Sequence, residues 1–584
     1  MTEGVKLSGA GHGRDCLRMT LWRSPDQTGC RRCKAGFRLI SQAKGQSRVR
    51  YSESAPVRLL KELAAAGSVL FSPSYSKDGA FLFMASFLDG LAKVNGAVND
   101  VVWGVPALVL LIGTGILMTV STRFFQFSRF GHMWKSTIGG LFREKTIRKS
   151  DDRHSISQFQ ALCTALSATI GTGNIAGVAY AITMGGPGAV FWMWIAAIVG
   201  MMTNYSENVL GIYFRRRNEK GEWSGGAMYY LRDGVGKMKY GKAAGRILAV
   251  LFSVFAVFAS FGIGNMGQVV SISESISAAA NRGDSKIIPL VVGVVVMILA
   301  VLVIIGGLHR IAETNERIVP FMAVFYIIGA LVIIVMNIGQ VGPAFAAIFK
   351  GAFNFKSAAG GVGGAVIAQA MQWGFKRGVF SNEAGLGSSV MVHSASNVKE
   401  PVVQGLWGIF EVFADTIIVC TCTALVILTS GVVDLETGAS VSGVTKLGLA
   451  TEAFTANFGT FGGIFIAVAV SLFAFTTVLG WSFYGTKAWE YLFGTKSTIV
   501  YKVLFVLIIL AGSTLDASLA IDLSDTFNGL MAIPNLIGVV CLSGLVVRIT
   551  KNYTARKITG SDPGAEPMYS ALPEVQREQE ERQD

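Results

Sequence analysis

The chain has 584 residues, of which 15% are charged, 51% are hydrophobic and 69 are glycine, with a mean hydropathy of +0.50. An ordinary soluble domain carries about 25% charged residues, so these figures exclude a soluble enzyme with one or two cores and a charge-rich disordered chain alike. Seven cysteines make no disulfide framework, and the net charge of +14 implies nucleic acid only if the basic residues gather on a polar domain, which they do not.

Residues 1–83 carry fourteen Lys/Arg against six Asp/Glu. They hold no apolar stretch with a cleavage site of the kind that makes a signal peptide. Cys30-Arg31-Arg32-Cys33 is a lone C-x-x-C without a second pair. A disordered or spurious leader is expected here, with Met84 as the natural start. Beyond it the charges thin out. Asp, Glu, Lys and Arg are absent from Val101–Thr122, Ser155–Ser206, Ile287–Gly307, Ile318–Phe349, Ser357–Phe375, Ala453–Thr486 and Thr526–Val547. A helix crosses a bilayer in about 20 residues at 1.5 Å each, so the run from Ser155 holds two spans with a turn at Met184-Gly185-Gly186-Pro187. Eleven spans are expected, at 101–122, 157–182, 187–213, 247–279, 287–307, 314–338, 365–393, 402–430, 459–485, 498–519 and 524–549. The fold class is all-α membrane protein, with the lipid bilayer as solvent and no nucleic-acid partner. Residues 84–550 form the transmembrane domain, and 551–584, which lack periodicity, are expected as a disordered cytoplasmic tail.

Lys and Arg in short loops set orientation. The loop after the first span holds eight and the loop after the third holds nine, while those after the second and tenth hold none. The amino end is therefore expected outside and the carboxyl end inside, with the basic leader as the one segment that opposes the rule.

Two spans are interrupted. The second reads Leu166-Ser167-Ala168-Thr169-Ile170-Gly171-Thr172-Gly173-Asn174, and the seventh reads Phe380-Ser381-Asn382-Glu383-Ala384-Gly385-Leu386-Gly387-Ser388. Glycine pairs at mid-span cost helix propensity, about 1 kcal/mol each. Either motif alone fits close helix packing through small residues. Two of them five spans apart fit an inverted repeat, spans 2–6 and 7–11, with the first span outside it. A half-helix starting near Gly173 offers free N–H groups to a carboxylate. The carbonyls left at Ser167–Ile170 are oxygen ligands for a hard cation, and the break near Glu383 offers carbonyls to an ammonium group. A zwitterion travelling with a cation uses all of these. Asn265 and Gln268, in the fourth span, either bond a neighbouring helix or face this site. Glu383 lies at a break and is the strongest intramembrane carboxylate; its alternative is an ion pair with Lys376 or Arg377. Glu411 and Asp415 share one helix face. No histidine lies at mid-span, so a proton relay would run on carboxylates, which favours sodium. No Walker A, H-E-x-x-H or G-x-S-x-G pattern occurs, and no enzyme is expected.

The stretch Gly185-Gly186-Pro187-Gly188-Ala189-Val190-Phe191-Trp192-Met193-Trp194 and its continuation to Gly200 resembles the signature of the alanine or glycine:cation symporters. Gly171–Gly177, Ser381–Gly387 and Asn528-Gly529-Leu530-Met531-Ala532-Ile533-Pro534-Asn535 resemble the same family, over about residues 84–550. The resemblance implies a LeuT-type fold, one extra helix plus a 5+5 inverted repeat. It implies alternating-access uptake of alanine or glycine, coupled to co-transported sodium or alternatively to protons, across a bacterial or archaeal plasma membrane. It also implies that Thr172 and Gly173, beside Gly171, meet the substrate carboxylate, with Ser381 and Glu383 at the opposed break. Ser167 and Ile170, with Thr476 and Thr477 of the ninth span, would bind sodium, and Asn174 offers a further cation ligand through its side-chain oxygen.

Overall fold

The computed structural model describes residues 77–150, 152–283, 285–353, 362–514 and 518–582. Most of the expected leader, residues 1–76, lies outside them. The one sheet among the described residues is a short hairpin, Arg216–Arg217 against Trp223–Ser224. Helices α1 (Lys77–Val102) and α2 (Val105–Ser121) come first. Pro106 stands in the first turn of α2, where its missing N–H leaves no helical bond unmade.

The next five spans follow in order. α3 (Gln158–Thr169) and α4 (Ala176–Gly185) form a pair bent by 58°. The start of α3 is fixed by a capping box. Ser157 Oγ accepts the Gln160 N–H at 3.1 Å, and Gln160 Oε1 accepts the Ser157 N–H at 3.1 Å. After α5 (Gly188–Phe214), α6 (Gly241–Phe261) runs through a π turn at Gly262–Met266 into α7 (Gly267–Ala279). α8 (Ile287–Ile304) and α9 (Gly307–Met336) close the set, and α10 (Ile338–Ala352) connects it to the next.

The second set opens with α11 (Val362–Asn382) and the single turn α12 (Val390–His393). α13 (Pro401–Val412) passes through a π turn at Phe413–Cys420 into α14 (Thr421–Thr429). α15 (Lys446–Phe458) lies in the following connection. α16 (Thr460–Phe493), α17 (Thr498–Thr514) and α18 (Ser518–Cys541) complete the set, and α19 (Ser543–Tyr553) follows at a bend of 59°.

Among the described residues, eight helices are long and apolar enough to cross a membrane, or ten if each bent pair is one span. The expected seventh, at 365–393, is not among them. α11 carries Gln369, Gln372, Lys376 and Arg377 and stops at Asn382, which leaves too short an apolar run. The expected first span at 101–122 starts earlier, the apolar stretch running over Ser86–Ser121.

Packing follows the expected repeat. Numbered as spans, the third lies on the eighth (α5 on α13), the fourth on the ninth (α7 on α16) and the fifth on the tenth (α8 on α17). The sixth lies on the ninth (α9 on α16) and the eleventh on the fourth (α18 on α6). An axis that exchanges each span with the one five later maps the first three contacts onto themselves and swaps the last two. With an odd number of spans per unit, the second unit runs through the membrane in the opposite sense.

The segment expected as a disordered tail continues as a helical turn at Thr554–Ile558 and as α20 (Pro573–Glu581). It is held by other elements rather than by its own periodicity. The Ala571 N–H donates to Tyr213 C=O at 2.8 Å, Arg217 reaches Glu578 at 2.7 Å, and Arg556 grips Glu400 through two bonds of 2.8 and 2.9 Å.

Candidate functional site

At the first break the backbone changes partners one residue at a time. The Ile170 N–H still donates to Leu166 C=O at 2.8 Å. The next amide, of Gly171, goes instead to Asn174 Oδ1 at 2.9 Å. Ser167 C=O, which a continuous helix would pair with Gly171, therefore turns to the hydroxyl of Thr477 on α16, 3.0 Å away. Gly171 is required by this approach, because a Cβ there would stand 2.7 Å from Thr477 Oγ1. The chain then forms a short 3₁₀ turn, Thr172–Asn174, before α4. Its leading amides have no intrahelical acceptor, so this turn points free N–H groups into the site.

The second break is built on left-handed backbone. Glu383, Gly385 and Gly387 have φ of 55°, 94° and 73°. Glycine adopts this region freely, and Glu383 does so at a cost of roughly 1–2 kcal/mol. Neighbours hold the shape. Asn382 Oδ1 accepts the Ala384 N–H at 3.0 Å, Ser388 donates to Glu383 Oε2 at 2.5 Å, and Asn535 of α18 donates to Gly385 C=O at 2.9 Å.

A single carboxylate spans both breaks. Asp415, in the π turn between α13 and α14, is fully buried. Its Oδ1 accepts from Asn174 Nδ2 at 2.6 Å, and its Oδ2 accepts from Ser381 Oγ at 2.9 Å and Thr416 Oγ1 at 2.7 Å. A π turn inserts an extra residue into a helix and often marks a working site. The π turns at Gly262–Met266 and Phe413–Cys420 both adjoin the breaks.

Between the breaks lies a small cavity of about 20 Å³, lined by Ala168, Thr169, Gly171, Thr172, Gly173, Ile263, Gln268, Phe380, Glu383, Thr477, Trp481 and Asn528. That is room for about one water. A second cavity of about 300 Å³ shares Thr172, Gly173, Ile263, Gln268 and Phe380 with it, so these residues form the partition. The larger one continues past Tyr180 and Arg377 to Glu274, Lys446, Asp522 and Asp525. The Arg377 guanidinium lies over the rings of Tyr180 (4.9 Å) and Phe380 (5.4 Å), and Lys376 pairs with Asp525 at 3.7 Å.

Of the residues singled out for substrate, Gly171, Thr172, Gly173, Glu383 and Gln268 line the small cavity. Thr172 donates to Gln268 Oε1 at 3.3 Å. Ser381 lies against Asp415 and does not line that cavity. Asn265 is turned to α17, where its amide donates to Phe505 C=O at 2.7 Å. Of those singled out for sodium, Ser167 and Thr477 meet directly. Ser167 Oγ also accepts from Asn315 of α9 at 2.9 Å. Ile170 is buried at the end of α3. The Thr476 hydroxyl bonds the Leu472 and Phe473 carbonyls of its own helix, each at 3.0 Å, and faces Met322 Sδ at 3.3 Å. The amide of Asn174 is occupied by Gly171 on one end and Asp415 on the other. Phe380, Ile263, Trp481 and Asn528 were not anticipated. Trp481 stands four residues after Thr477, on the same helix face, a spacing that carries the signal.

The sequence model of the sodium:alanine symporter family matches residues 88–567. The chain belongs to that family. It is a multi-pass membrane transporter and not an enzyme. Sodium/alanine symporter AgcS of Methanococcus maripaludis is 45% identical over 469 residues, covering 80% of this chain and 98% of that protein. Probable sodium/glutamine symporter GlnT of Bacillus subtilis is 35% identical over 474 residues, 81% of this chain and 93% of its own length. Among solved structures, MhsT in complex with L-phenylalanine aligns over 68% of this chain and 99% of that one, with 14% identity and a TM-score of 0.46.

Proposed function

We propose that this family member takes up a small neutral amino acid, alanine or glycine, together with sodium, by alternating access. The observation that carries the reading is the junction of the two repeats at the first break, where Ser167 C=O leaves its helix and meets the Thr477 hydroxyl. Carbonyl and hydroxyl oxygens suit a hard monovalent cation, and a cation there would join α3 to α16. The amino acid binds between the breaks, where the small cavity must widen to admit it, with its carboxylate on the amides of Thr172 and Gly173 and its ammonium towards Glu383. Ser381 supports the opposed break through Asp415. The loop counts of Lys and Arg support an amino end outside and a carboxyl end in the cytoplasm, and the family resemblance supports a bacterial or archaeal plasma membrane; in that orientation the larger cavity is an outer vestibule and Phe380 stands between it and the substrate.

A proton-coupled carrier of the same fold is the second reading. Glu207, Glu383 and Asp415 are buried with no basic partner among the described residues, and Glu411 has only His393, at 2.9 Å. Counterflow of labelled alanine in proteoliposomes, with sodium and pH varied separately, decides between them. Counterflow that requires sodium at every pH supports sodium coupling. Counterflow indifferent to exchange of sodium for potassium, but following pH, refutes it in favour of protons.

A further inference from the structure

One wall of the small cavity comes from neither break. Asn528 of α18 is 1% exposed, lines the cavity, and has a buried side-chain oxygen that accepts no hydrogen bond among the described residues. The other polar side chains of the wall are engaged. Thr172 is bonded to Gln268, Gln268 to Ile263 C=O, Glu383 to Ser388, and Thr477 to Ser167 C=O. The face of α18 that carries Asn528 is otherwise committed to the second break. Two turns further on, Asn535 bonds Gly385 C=O, Glu207 and the Tyr230 hydroxyl. Buried polar atoms in folded proteins almost always have partners, so an orphan beside a small cavity marks where an absent group belongs.

We infer that Asn528 is a substrate-binding residue whose side-chain oxygen accepts a hydrogen bond from the ammonium group of the amino acid held between the breaks. This rests on the reading of the chain as an amino-acid carrier. The chemistry selects the ammonium end. An acceptor oxygen repels a carboxylate, whereas an ammonium group brings three donors and needs three acceptors. Glu383 has one oxygen already held by Ser388, so a further acceptor completes the set. The same geometry sets a specificity. A primary amine brings a donor to the Asn528 oxygen, whereas an N-methylated amine has replaced one of its donors with a methyl group.

The test measures binding of labelled alanine to the purified full chain at saturating sodium, with N-methylalanine as competitor. Thermal stabilisation by sodium, measured without alanine, reports the cation site. N528A is expected to weaken alanine by roughly five- to a hundredfold, the loss of one polar contact to a charged group. It should also narrow the preference for alanine over N-methylalanine and leave the half-saturating sodium concentration within about twofold. N528D keeps the acceptor oxygen and is expected to retain both alanine binding and the preference. Unchanged alanine affinity in N528A, or equal loss of sodium and alanine, overturns the assignment. If N528A does not fold, loss of the preference in N528D overturns it. Failure of the unaltered protein to bind alanine with sodium or at any pH overturns the carrier reading itself, and the assignment with it.

Discussion

Thr477→Val is the sharpest perturbation of the proposed sodium junction. Thr477 is 2% exposed, and its hydroxyl oxygen lies 3.0 Å from Ser167 O and 2.9 Å from Phe473 O. Valine keeps the branched shape and removes the one hydroxyl that joins α16 to the opened carbonyl. Removing such a contact costs about 1–3 kcal/mol, and each 1.4 kcal/mol is tenfold in binding. The sodium concentration for half-maximal alanine uptake into proteoliposomes should then rise about five- to a hundredfold at fixed alanine. Alanine affinity at saturating sodium should move far less, because the junction supports α3 and does not touch the carboxylate. Thr476→Val is the internal control. That hydroxyl is spent on carbonyls of its own helix, so its loss should leave the sodium dependence within about twofold. Equal shifts in the two variants, or an unshifted T477V with normal uptake, refute the reasoning.

Four further outcomes are expected. Asp415→Asn places an amide donor against the donors of Asn174, Ser381 and Thr416, and should lower stability by about 1–3 kcal/mol and uptake with it, read by thermal unfolding and transport. Gly480→Ala puts a Cβ 2.7 Å from Ser167 Oγ and 2.9 Å from Ala168 Cβ, an overpacking worth about 1–3 kcal/mol that should impair sodium dependence; a normal sodium curve in G480A contradicts the close approach of α3 and α16. A cysteine at the half-buried Ser440 or the exposed Ser442, ahead of α15, should react with impermeant reagent from outside the cell, and labelling from the cytoplasm contradicts the proposed orientation. A chain starting at Met84 should transport at the full rate per molecule, and a collapsed rate at a normal membrane level shows that the leader acts.

All but the seventh of the expected spans, and both interruptions, were legible because membrane insertion imposes long charge-free runs and because glycine pairs at mid-span have few other uses. The site's walls were less so. Thr476 and Thr477 are adjacent in sequence, yet neighbouring helix positions point about 100° apart, and only coordinates show which one meets Ser167. Asn174 reads as an oxygen ligand, and only coordinates show that its oxygen also accepts the diverted Gly171 amide. Asp415 looks like one of two carboxylates on a shared face. Its role comes from donors 241 and 34 residues away, and no local pattern encodes such distances. The segment beyond residue 551 has no apolar periodicity, because its order comes from partners such as Tyr213 and Glu400 elsewhere in the chain.

Asp415 leaves the carrier with one pivot where two discontinuous helices suggest two. Asn174 hangs on one oxygen of the carboxylate and Ser381 on the other, and hydrogen bonds weaken steeply once their length or angle departs from a narrow range. A tilt of either half-helix therefore pulls on its counterpart through a rigid planar group two bonds wide. The two half-sites are thus levers on a common axle, each hinged to one oxygen of the same buried carboxylate.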